Sequence, residues 1–398
     1  MRYLGNKTKL VPFLLETVHR FQETPGVACD PFAGTASVSA ALKEEGWQVH
    51  AGDLMASSYA LQVARVQLDA APRYPGSLLP AAARNGKREI GYRALLKGLA
   101  ELDEPGGVEV VGDPRGPTPG HGAPRDDGAG DPGDGERPDR RGFISEHYTS
   151  GGTAGRERGR MYFSPENGRK IDLVRTRIER WTSGSSHCEA AAQLLIATLI
   201  EAADRVANTT GVYASFVKTM QPNALRPLEL RPIEPIPRRE GAGACSAFRG
   251  PAARLLESVG PVDLVYLDPP YNGRQYPAYY HIPELLALGW ATPPEIRGKT
   301  GLIPDEALRS DWCRKHRAPD ALREVLEAAD GRHILFSYND EGHLDRAVIE
   351  EALRARGLPD TYAFHDRPYR RYRSDADGPR RNYLRDDVRE HLHYVRCA

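Results

Sequence analysis

The fold is decided by one stretch of sequence, Val262-Asp263-Leu264-Val265-Tyr266-Leu267-Asp268-Pro269-Pro270-Tyr271. Its first six residues are mostly apolar, and a short apolar run of this length is typical of a buried strand. The two prolines end that strand, because proline lacks the backbone N–H that strand pairing requires. The chain is therefore predicted to leave the sheet of an α/β fold at Asp268 and to turn there.

The turn after this strand carries groups suited to an exocyclic amine. The amino lone pair of adenine or cytosine is delocalised into the ring, so an enzyme that uses it as a nucleophile must hold it with acceptors for both hydrogens. Asp268 supplies a carboxylate, and Pro269 supplies a carbonyl oxygen that the turn leaves unpaired. Tyr271 offers a flat ring, and stacking of a flipped-out base on such a ring is worth about 1–3 kcal/mol. Alternatively, the prolines only end the strand, Asp268 caps the turn and Tyr271 packs on the surface.

A glycine turn near the N-terminus favours the catalytic interpretation. Val27 to Cys29 predicts a strand, the turn after it contains Gly34, and a helical stretch follows. This order of elements is typical of nucleotide sites. Asp53 ends the next predicted strand, where the dinucleotide-binding pattern has an acid for ribose hydroxyls, although taken alone it also fits a helix N-cap. Together with Asp268, these features are expected at the carboxyl edge of one parallel sheet.

With these motifs the chain resembles the Dam-like N6-adenine-specific DNA methyltransferases, which use S-adenosylmethionine. The branch it resembles most accompanies type IIS restriction systems. The likeness is carried by Tyr3-Leu4-Gly5-Asn6-Lys7, Asp30-Pro31-Phe32-Ala33-Gly34, Asp53, the residues from Asp268 to Tyr276, Tyr280-His281, Phe336-Ser337-Tyr338-Asn339 and Tyr369-Arg370-Arg371-Tyr372.

The resemblance implies a role for each matching position. Asp268, Pro269 and Tyr271 are expected to be catalytic. Lys7 is expected to meet the methionine carboxylate of the cofactor. The expected cofactor residues are Tyr3, Gly5, Lys7, Asp30, Phe32, Gly34 and Asp53. The expected substrate residues are Pro270, Asn272, Arg274, Tyr276, Tyr338, Arg370, Arg371 and Tyr372.

Two positions depart from the family pattern. Ala36 stands where the family often has Gly, and Phe248-Arg249-Gly250 stands where it often has an acid. A methyl group at position 36 is expected to narrow the space for close backbone approach and to weaken cofactor binding.

The resemblance also implies the architecture, a Rossmann-like S-adenosylmethionine-dependent methyltransferase sheet with a largely helical target-recognition insertion. The sheet is expected to be mostly parallel and seven-stranded, with one reversed edge strand. Residues 1–55 and 241–398 are assigned to the catalytic domain, and 56–240 to the insertion. Within the insertion, 102–142 is rich in Gly, Pro and Asp and is predicted to be disordered.

Composition fits an intracellular enzyme. The 398 residues are 40% hydrophobic, enough for a large core. Five scattered cysteines without a Cys-x-x-Cys pair indicate neither a disulfide framework nor a metal site. The N-terminus has no apolar signal core and the apolar stretch 190–203 is too short to span a bilayer, so we expect a cytoplasmic protein without a membrane partner, and a monomer.

The expected partner is double-stranded DNA, although the net charge is zero. DNA-binding proteins usually carry a basic excess, so phosphate contacts must come from a local cluster such as Arg367 to Arg381. No nuclease is evident in the chain, so any restriction endonuclease is expected to be a separate protein. Two alternatives remain: a cytosine-N4 DNA or RNA base amino-methyltransferase, and a catalytically silent DNA-binding relative.

Replacing Arg370, Arg371 and Arg373 together with Ala is expected to weaken DNA binding and to flatten its salt dependence. Each lost phosphate contact lowers the slope of log K against log salt concentration by about 0.9. Fluorescence anisotropy of a labelled duplex over a salt series measures this slope. The matching Lys variant keeps the charge and serves as the control, and a triple Ala variant with the original slope contradicts the contact.

Overall fold

The computed structural model describes residues 2–3, 5–80, 86–102, 142–152, 159–182, 189–304, 306–370 and 387–398. Of residues 102–142, which are predicted to be disordered, 103–141 lie outside this part of the chain. The same holds for Arg371 and Tyr372, two of the predicted substrate residues.

A seven-stranded sheet carries the predicted motifs. Its order is β5-β2-β1-β6-β7-β9-β8, and the first five strands pair in parallel. The predicted mostly parallel α/β sheet is therefore confirmed. The strands are β1 (Val27–Asp30), β2 (Gln48–Asp53), β5 (Ser246–Arg249), β6 (Val262–Leu267), β7 (Gly331–Asn339), β8 (Ala363–Arg370) and β9 (Asp387–Arg396), with β3 (Arg73–Pro75) and β4 (Glu89–Gly91) forming a separate pair.

The position of the reversed strand differs from the prediction. The reversed strand is β9, which pairs antiparallel with β7 on one side and with β8 on the other, so it is not an edge strand. The edge strand on this side of the sheet is β8, which mixes charged and aromatic residues and therefore contains no apolar run that would predict a strand. An edge strand has only one neighbour and tolerates a proline, and Pro368 lies within β8.

Helices cover the sheet and build the insertion. The insertion contains two long helices, α6 (Pro165–Thr182) and α7 (Glu189–Val206). No helix in the described ranges is long and apolar enough to cross a membrane. The other α-helices are α1 (Val11–Phe21), α2 (Ser37–Glu45), α3 (Ala56–Gln62), α4 (Tyr92–Ala100), α5 (Phe143–His147), α8 (Ala252–Val259), α9 (Tyr276–Tyr279), α10 (His281–Leu288), α11 (Ala318–Ala328) and α12 (Arg346–Arg356).

The core has a cluster on each face of the sheet and a third in the insertion. Along β6, Leu264 and Tyr266 pack with α1 and α2, whereas Val265 and Leu267 pack with α8, α11 and α12. This alternation follows from the period of two in a strand and explains why β6 is apolar apart from Asp263 near its start. Helix α10 packs in the insertion cluster with α6 and α7, although its residues fall in the range assigned to the catalytic domain. The domain boundaries therefore stay a prediction.

Ala36 occupies a left-handed conformation at the start of α2. Its φ is 61° and its ψ is 29°, and its side chain is fully buried. A residue with a Cβ costs about 1–2 kcal/mol in this conformation, which gives a physical reason for Gly at the position. The methyl group packs in the apolar cluster that contains Val38 and Leu42.

Ala36→Gly is expected to change the free energy of unfolding by less than about 1 kcal/mol. Relief of the left-handed conformation is offset by the lost burial of a methyl group and by the greater freedom of Gly in the unfolded chain. Ala36→Val is expected to destabilise by about 2 kcal/mol or more, because a branched side chain must enter a filled core in a disfavoured conformation. Urea unfolding measures both variants. If Ala36→Gly lowers the free energy of unfolding by more than about 2 kcal/mol, relief of the left-handed conformation does not offset the lost methyl group.

Candidate active site

A cavity of about 340 Å³ lies at the carboxyl edge of the sheet, beyond the ends of β1, β2 and β6. Its size is in the range of small-molecule sites. Most of the predicted site residues meet here. The lining includes Tyr3, Gly5, Lys7, Asp30, Phe32, Gly34, Asp53, Asp268, Pro269, Pro270, Tyr271 and Tyr276.

The glycine turn and the acid after β2 are tied together. Gly34 has a φ of 51°, and a Cβ there would lie 3.1 Å from Cε1 of Tyr3. The Gly34 N–H donates to Oδ2 of Asp53 (3.1 Å), and the Met55 N–H donates to Oδ1 (2.9 Å). Asp53 therefore ties the glycine turn to the turn after β2. It does not cap α3 (Ala56–Gln62), whose N-cap position is Met55, so the helix N-cap considered from the sequence is not formed. Its role towards a cofactor stays a prediction.

The end of β6 presents the predicted acceptors to the cavity. The Asp268 side chain is 15% exposed. Among the described residues, no hydrogen-bond donor is paired with the Pro269 carbonyl oxygen. Tyr271 is packed edge-on against Tyr338, with ring centroids 6.3 Å apart and an interplanar angle of 80°. Asp268 and Pro269 thus both line the cavity, next to the Tyr271 ring, which packs against Tyr338.

A buried lysine contacts the carboxylate of Asp268. Lys7 is 5% exposed, and its Nζ lies 3.1 Å from Oδ1 of Asp268. The same ammonium group pairs with Oε1 of Glu390, which also accepts a hydrogen bond from Ser337 Oγ (2.8 Å). Burial lowers the pKa of Lys7, but Asp268 and Glu390 raise it above its ordinary value. Lys7 is therefore protonated, and its predicted contact with a methionine carboxylate stays a prediction.

Aromatic rings form two walls of the cavity. Tyr3 stacks on Tyr280 with centroids 4.5 Å apart, and Tyr276 lies 5.4 Å from Tyr3. On the other side, Phe32 meets Trp312 edge-on at 5.4 Å. Such rings can cover the flat faces of a nucleoside.

Three predicted substrate residues, Tyr338, Asn272 and Arg274, are not part of the cavity lining. Tyr338 is 1% exposed and sits in the core behind Tyr271. Asn272 accepts a hydrogen bond from the Arg274 backbone N–H, and the exposed Arg274 lies over the Tyr279 ring. Arg370 ends β8. The substrate roles of these four predicted residues stay predictions.

Two groups at the site, Glu390 and the segment 307–312, were not predicted from the sequence. Glu390 belongs to a charged final strand that showed no motif. The segment 307–312 also lines the cavity, and Ser310 within it exchanges two hydrogen bonds with the Gln275 side chain. The available signal was Gln275 itself, which falls within the family motif.

Of the two departures from the family pattern, the one at position 36 lies outside the cavity lining, and the one at positions 248–250 contributes Gly250 to it. Ala36 is not part of the cavity lining, and its methyl group points into the core instead. The expected narrowing of the cofactor space at this position is therefore wrong. Gly250 does line the cavity, directly after β5, whereas Arg249 approaches Glu284 to 3.9 Å.

Three carboxyl groups of the site are harder to ionise than usual. Burial raises the pKa of Asp268 to about 7, with Lys7 opposing this effect. Burial likewise raises the pKa of Asp30 to about 7 and that of Asp53 to about 6. Perturbed acids in one cavity are typical of functional sites.

Comparison with known proteins identifies the family. Residues 3–79 and 138–331 match the D12 class N6 adenine-specific DNA methyltransferases. The chain belongs to this family. The predicted resemblance and the predicted enzyme class, adenine-specific DNA methylation, are therefore confirmed, and the methyltransferase family implies S-adenosylmethionine as its general cofactor.

Several curated relatives are methyltransferases of restriction-modification systems. Type II methyltransferase M.NlaIII of Neisseria lactamica is 33% identical over 398 residues, 99% of each chain. Type II methyltransferase M.FokI of Planomicrobium okeanokoites is 31% identical over 375 residues, 94% of this chain and 50% of the relative. Modification methylase StsI of Streptococcus sanguinis is 27% identical over 94% of this chain and 49% of the relative. This methyltransferase thus spans about half the length of the last two. The narrower type IIS assignment stays a prediction.

Asp30→Asn is expected to change the pH dependence of stability without cofactor. Burial raises the pKa of Asp30 from its ordinary 3.8 to about 7, so the folded wild type holds a proton that the unfolded chain has lost. That advantage is present below the unfolded pKa and is lost as pH rises from about 4 to about 7. The stability of the wild type relative to the variant should therefore fall over this range, by up to about 4 kcal/mol.

Urea unfolding at several pH values measures this difference. Asp360→Asn, at an exposed position, controls for the loss of a negative charge. If the free energy of unfolding of the wild type increases relative to that of the Asp30 variant as pH rises, the raised pKa of Asp30 is contradicted.

Proposed function

We propose that this enzyme transfers the methyl group of S-adenosylmethionine to N6 of a target adenine flipped out of double-stranded DNA. The observation that carries the proposal is that one cavity joins the glycine turn and Asp53 to the Asp268-Pro269-Pro270-Tyr271 turn. A cofactor held by the glycine turn and Asp53 would meet, inside this cavity, a base held by the turn that begins at Asp268. An enzyme of this kind gains mainly from placing its two reactants in contact, which can supply about 7–11 kcal/mol of the barrier.

The residues present fit the cofactor. Gly34 and Gly5 both have positive φ, and without a Cβ at Gly34 the turn stays open beside Tyr3. Asp53 offers a carboxylate suited to ribose hydroxyls, and the Phe32 and Trp312 rings offer an apolar surface for a flat base. When bound, S-adenosylmethionine supplies an electrophilic methyl group on a sulfonium sulfur.

The target base is held by the end of β6. Asp268 accepts one hydrogen of the adenine amino group and the Pro269 carbonyl accepts the other, which keeps the lone pair on nitrogen. Tyr271 stacks on the base and offsets part of the energy required for flipping. Positive charge develops on N6 during attack, and the ionised Asp268 stabilises it in a partly dehydrated cavity. The extra proton is lost to water afterwards.

The proposal extends to the setting of the enzyme. A cytoplasmic monomer would find both DNA and cofactor in one compartment. The names of the relatives support a role in restriction-modification, with a separate endonuclease as the cleaving partner. A catalytically silent role is disfavoured, because the acceptor turn and the cofactor turn are both intact and face the same cavity.

Asp268→Ala is expected to lower methyl transfer by about 10²-fold to 10³-fold or more, because it removes the charge that opposes the charge developing on nitrogen. Cofactor binding should change less than about threefold, a difference of well under 1 kcal/mol. Transfer of labelled methyl groups to DNA and equilibrium dialysis of the cofactor measure the two effects.

Asp263→Asn is the matched control, since Asp263 lies in the same strand at the opposite end, where it accepts a hydrogen bond from the Val27 N–H. Nucleoside analysis of the wild-type product distinguishes N6-methyladenine from N4-methylcytosine. Full methyl transfer by the Ala variant, or methylated cytosine as the product, would contradict the proposal.

A further inference from the structure

The lysine beside Asp268 creates an electrostatic problem for the proposed reaction. Lys7 Nζ lies 3.1 Å from Oδ1 of Asp268, within reach of an oxygen that the adenine amino group would use. An ammonium group has three donors and no acceptor, so it competes with the amine for that oxygen. Its positive charge also repels the positive charge that develops on N6. Asp268 paired with Lys7 alone would present a neutralised carboxylate to the base.

Glu390 counters this effect. It is 5% exposed, it pairs with the same ammonium group through Oε1, and Ser337 Oγ donates to that oxygen at 2.8 Å. With all three groups ionised, two negative charges and one positive charge leave the trio with one net negative charge. Lys7 is thereby shared between two carboxylates.

We propose that Glu390 is a positioning residue for methyl transfer, which draws Lys7 to one side and cancels its charge so that Asp268 can accept the adenine amino group. The inference rests on the function proposed above. Glu390 acts through Lys7 and does not line the cavity. Nothing in the family match reaches this residue, since the match ends at residue 331.

Stability alone does not account for the arrangement. A buried Lys7–Asp268 pair is already complete as an ion pair, and a third buried charge adds a desolvation cost. A fold selected only for stability would do as well with an apolar residue at position 390. The cost is offset if the reaction needs a net negative charge beside the amine.

The inference predicts an unusual combination of kinetic effects. Asp268 is faced by Lys7 from the N-terminal segment and Glu390 from β9, and the other titratable groups that it influences are Asp30, Tyr266, Tyr271 and Tyr276. Burial raises the pKa of Asp268, Lys7 lowers it and Glu390 raises it again, to about 7. Removal of the Glu390 charge should lower that pKa. The acid limb of kcat should then move to lower pH, while kcat on the plateau falls.

The experiment compares Glu390→Gln with the wild-type enzyme in steady-state methylation over pH. We expect kcat to fall about 10-fold to 100-fold, as is usual for groups that orient a functional residue. KM for cofactor and for DNA should change less than about threefold, because neither is contacted by Glu390. The acid limb should move to lower pH. In a Lys7→Met background, Glu390→Gln should no longer lower kcat, because no ammonium group remains to be drawn aside.

Each outcome decides one of the two claims. A folded wild type that makes no N6-methyladenine overturns the proposed function. An active wild type with an unchanged acid limb in Glu390→Gln overturns the inference, whether or not kcat falls, since a structural role alone would leave the limb in place. Asp263→Asn, in β6, controls for the removal of a carboxylate from another strand of the sheet. If Glu390→Gln does not fold, Glu390→Asp keeps the charge but shortens the reach, and wild-type kcat in that variant overturns the inference.

Discussion

The parallel pairing of β1 with β6 is the contact on which the site depends. Ala28 lies opposite Leu264 and Cys29 lies opposite Val265, although the two strands are separated by the whole insertion. This register brings Asp30 and Asp268 out of neighbouring strands at the same edge. Pairing of β1 with β2 adds Asp53 on the other side. A slip of one residue would turn every side chain of β6 to the opposite face and would separate the two core clusters from their helices.

The resulting concentration of acids has an energetic cost. Asp30, Asp53 and Asp268 all have a pKa raised by burial, so the folded chain resists their ionisation. Lys7 offsets part of that cost at Asp268, and the backbone N–H groups of Gly34 and Met55 offset part of it at Asp53. Sites that hold charge at such a cost are typical of catalysis. The cofactor and the base would bring positive charge and hydrogen-bond donors to the same cavity.

Local patterns were sufficient to predict the strands and turns that carry the chemistry. The apolar run of β6, the glycine turn after β1 and the acid after β2 each follow from a short stretch of sequence. The charged strand β8 was not predicted, because an edge strand with one neighbour needs no apolar run and accommodates Pro368. The segment that contains Ser310 and Trp312 was missed for a different reason. It reaches the cavity through contacts with Gln275 and Phe32. These residues are distant in the sequence, so the spacing of nearby residues does not predict the contacts.

Strand direction explains why the sequence motifs did not predict a role for Glu390. In a parallel sheet, functional residues follow the strands, and the sequence motifs searched for have that form. Strand β9 runs in the opposite direction, with Asn339 at the end of β7 lying opposite Glu390 near the start of β9. A reversed strand delivers its first residues, not its last, to the carboxyl edge of its parallel neighbours. Because β9 is inserted inside the sheet, next to β7, its early residues lie close enough to reach Lys7. An acid that precedes the apolar part of a final strand is therefore a candidate for the active site of this fold, even where no motif marks it.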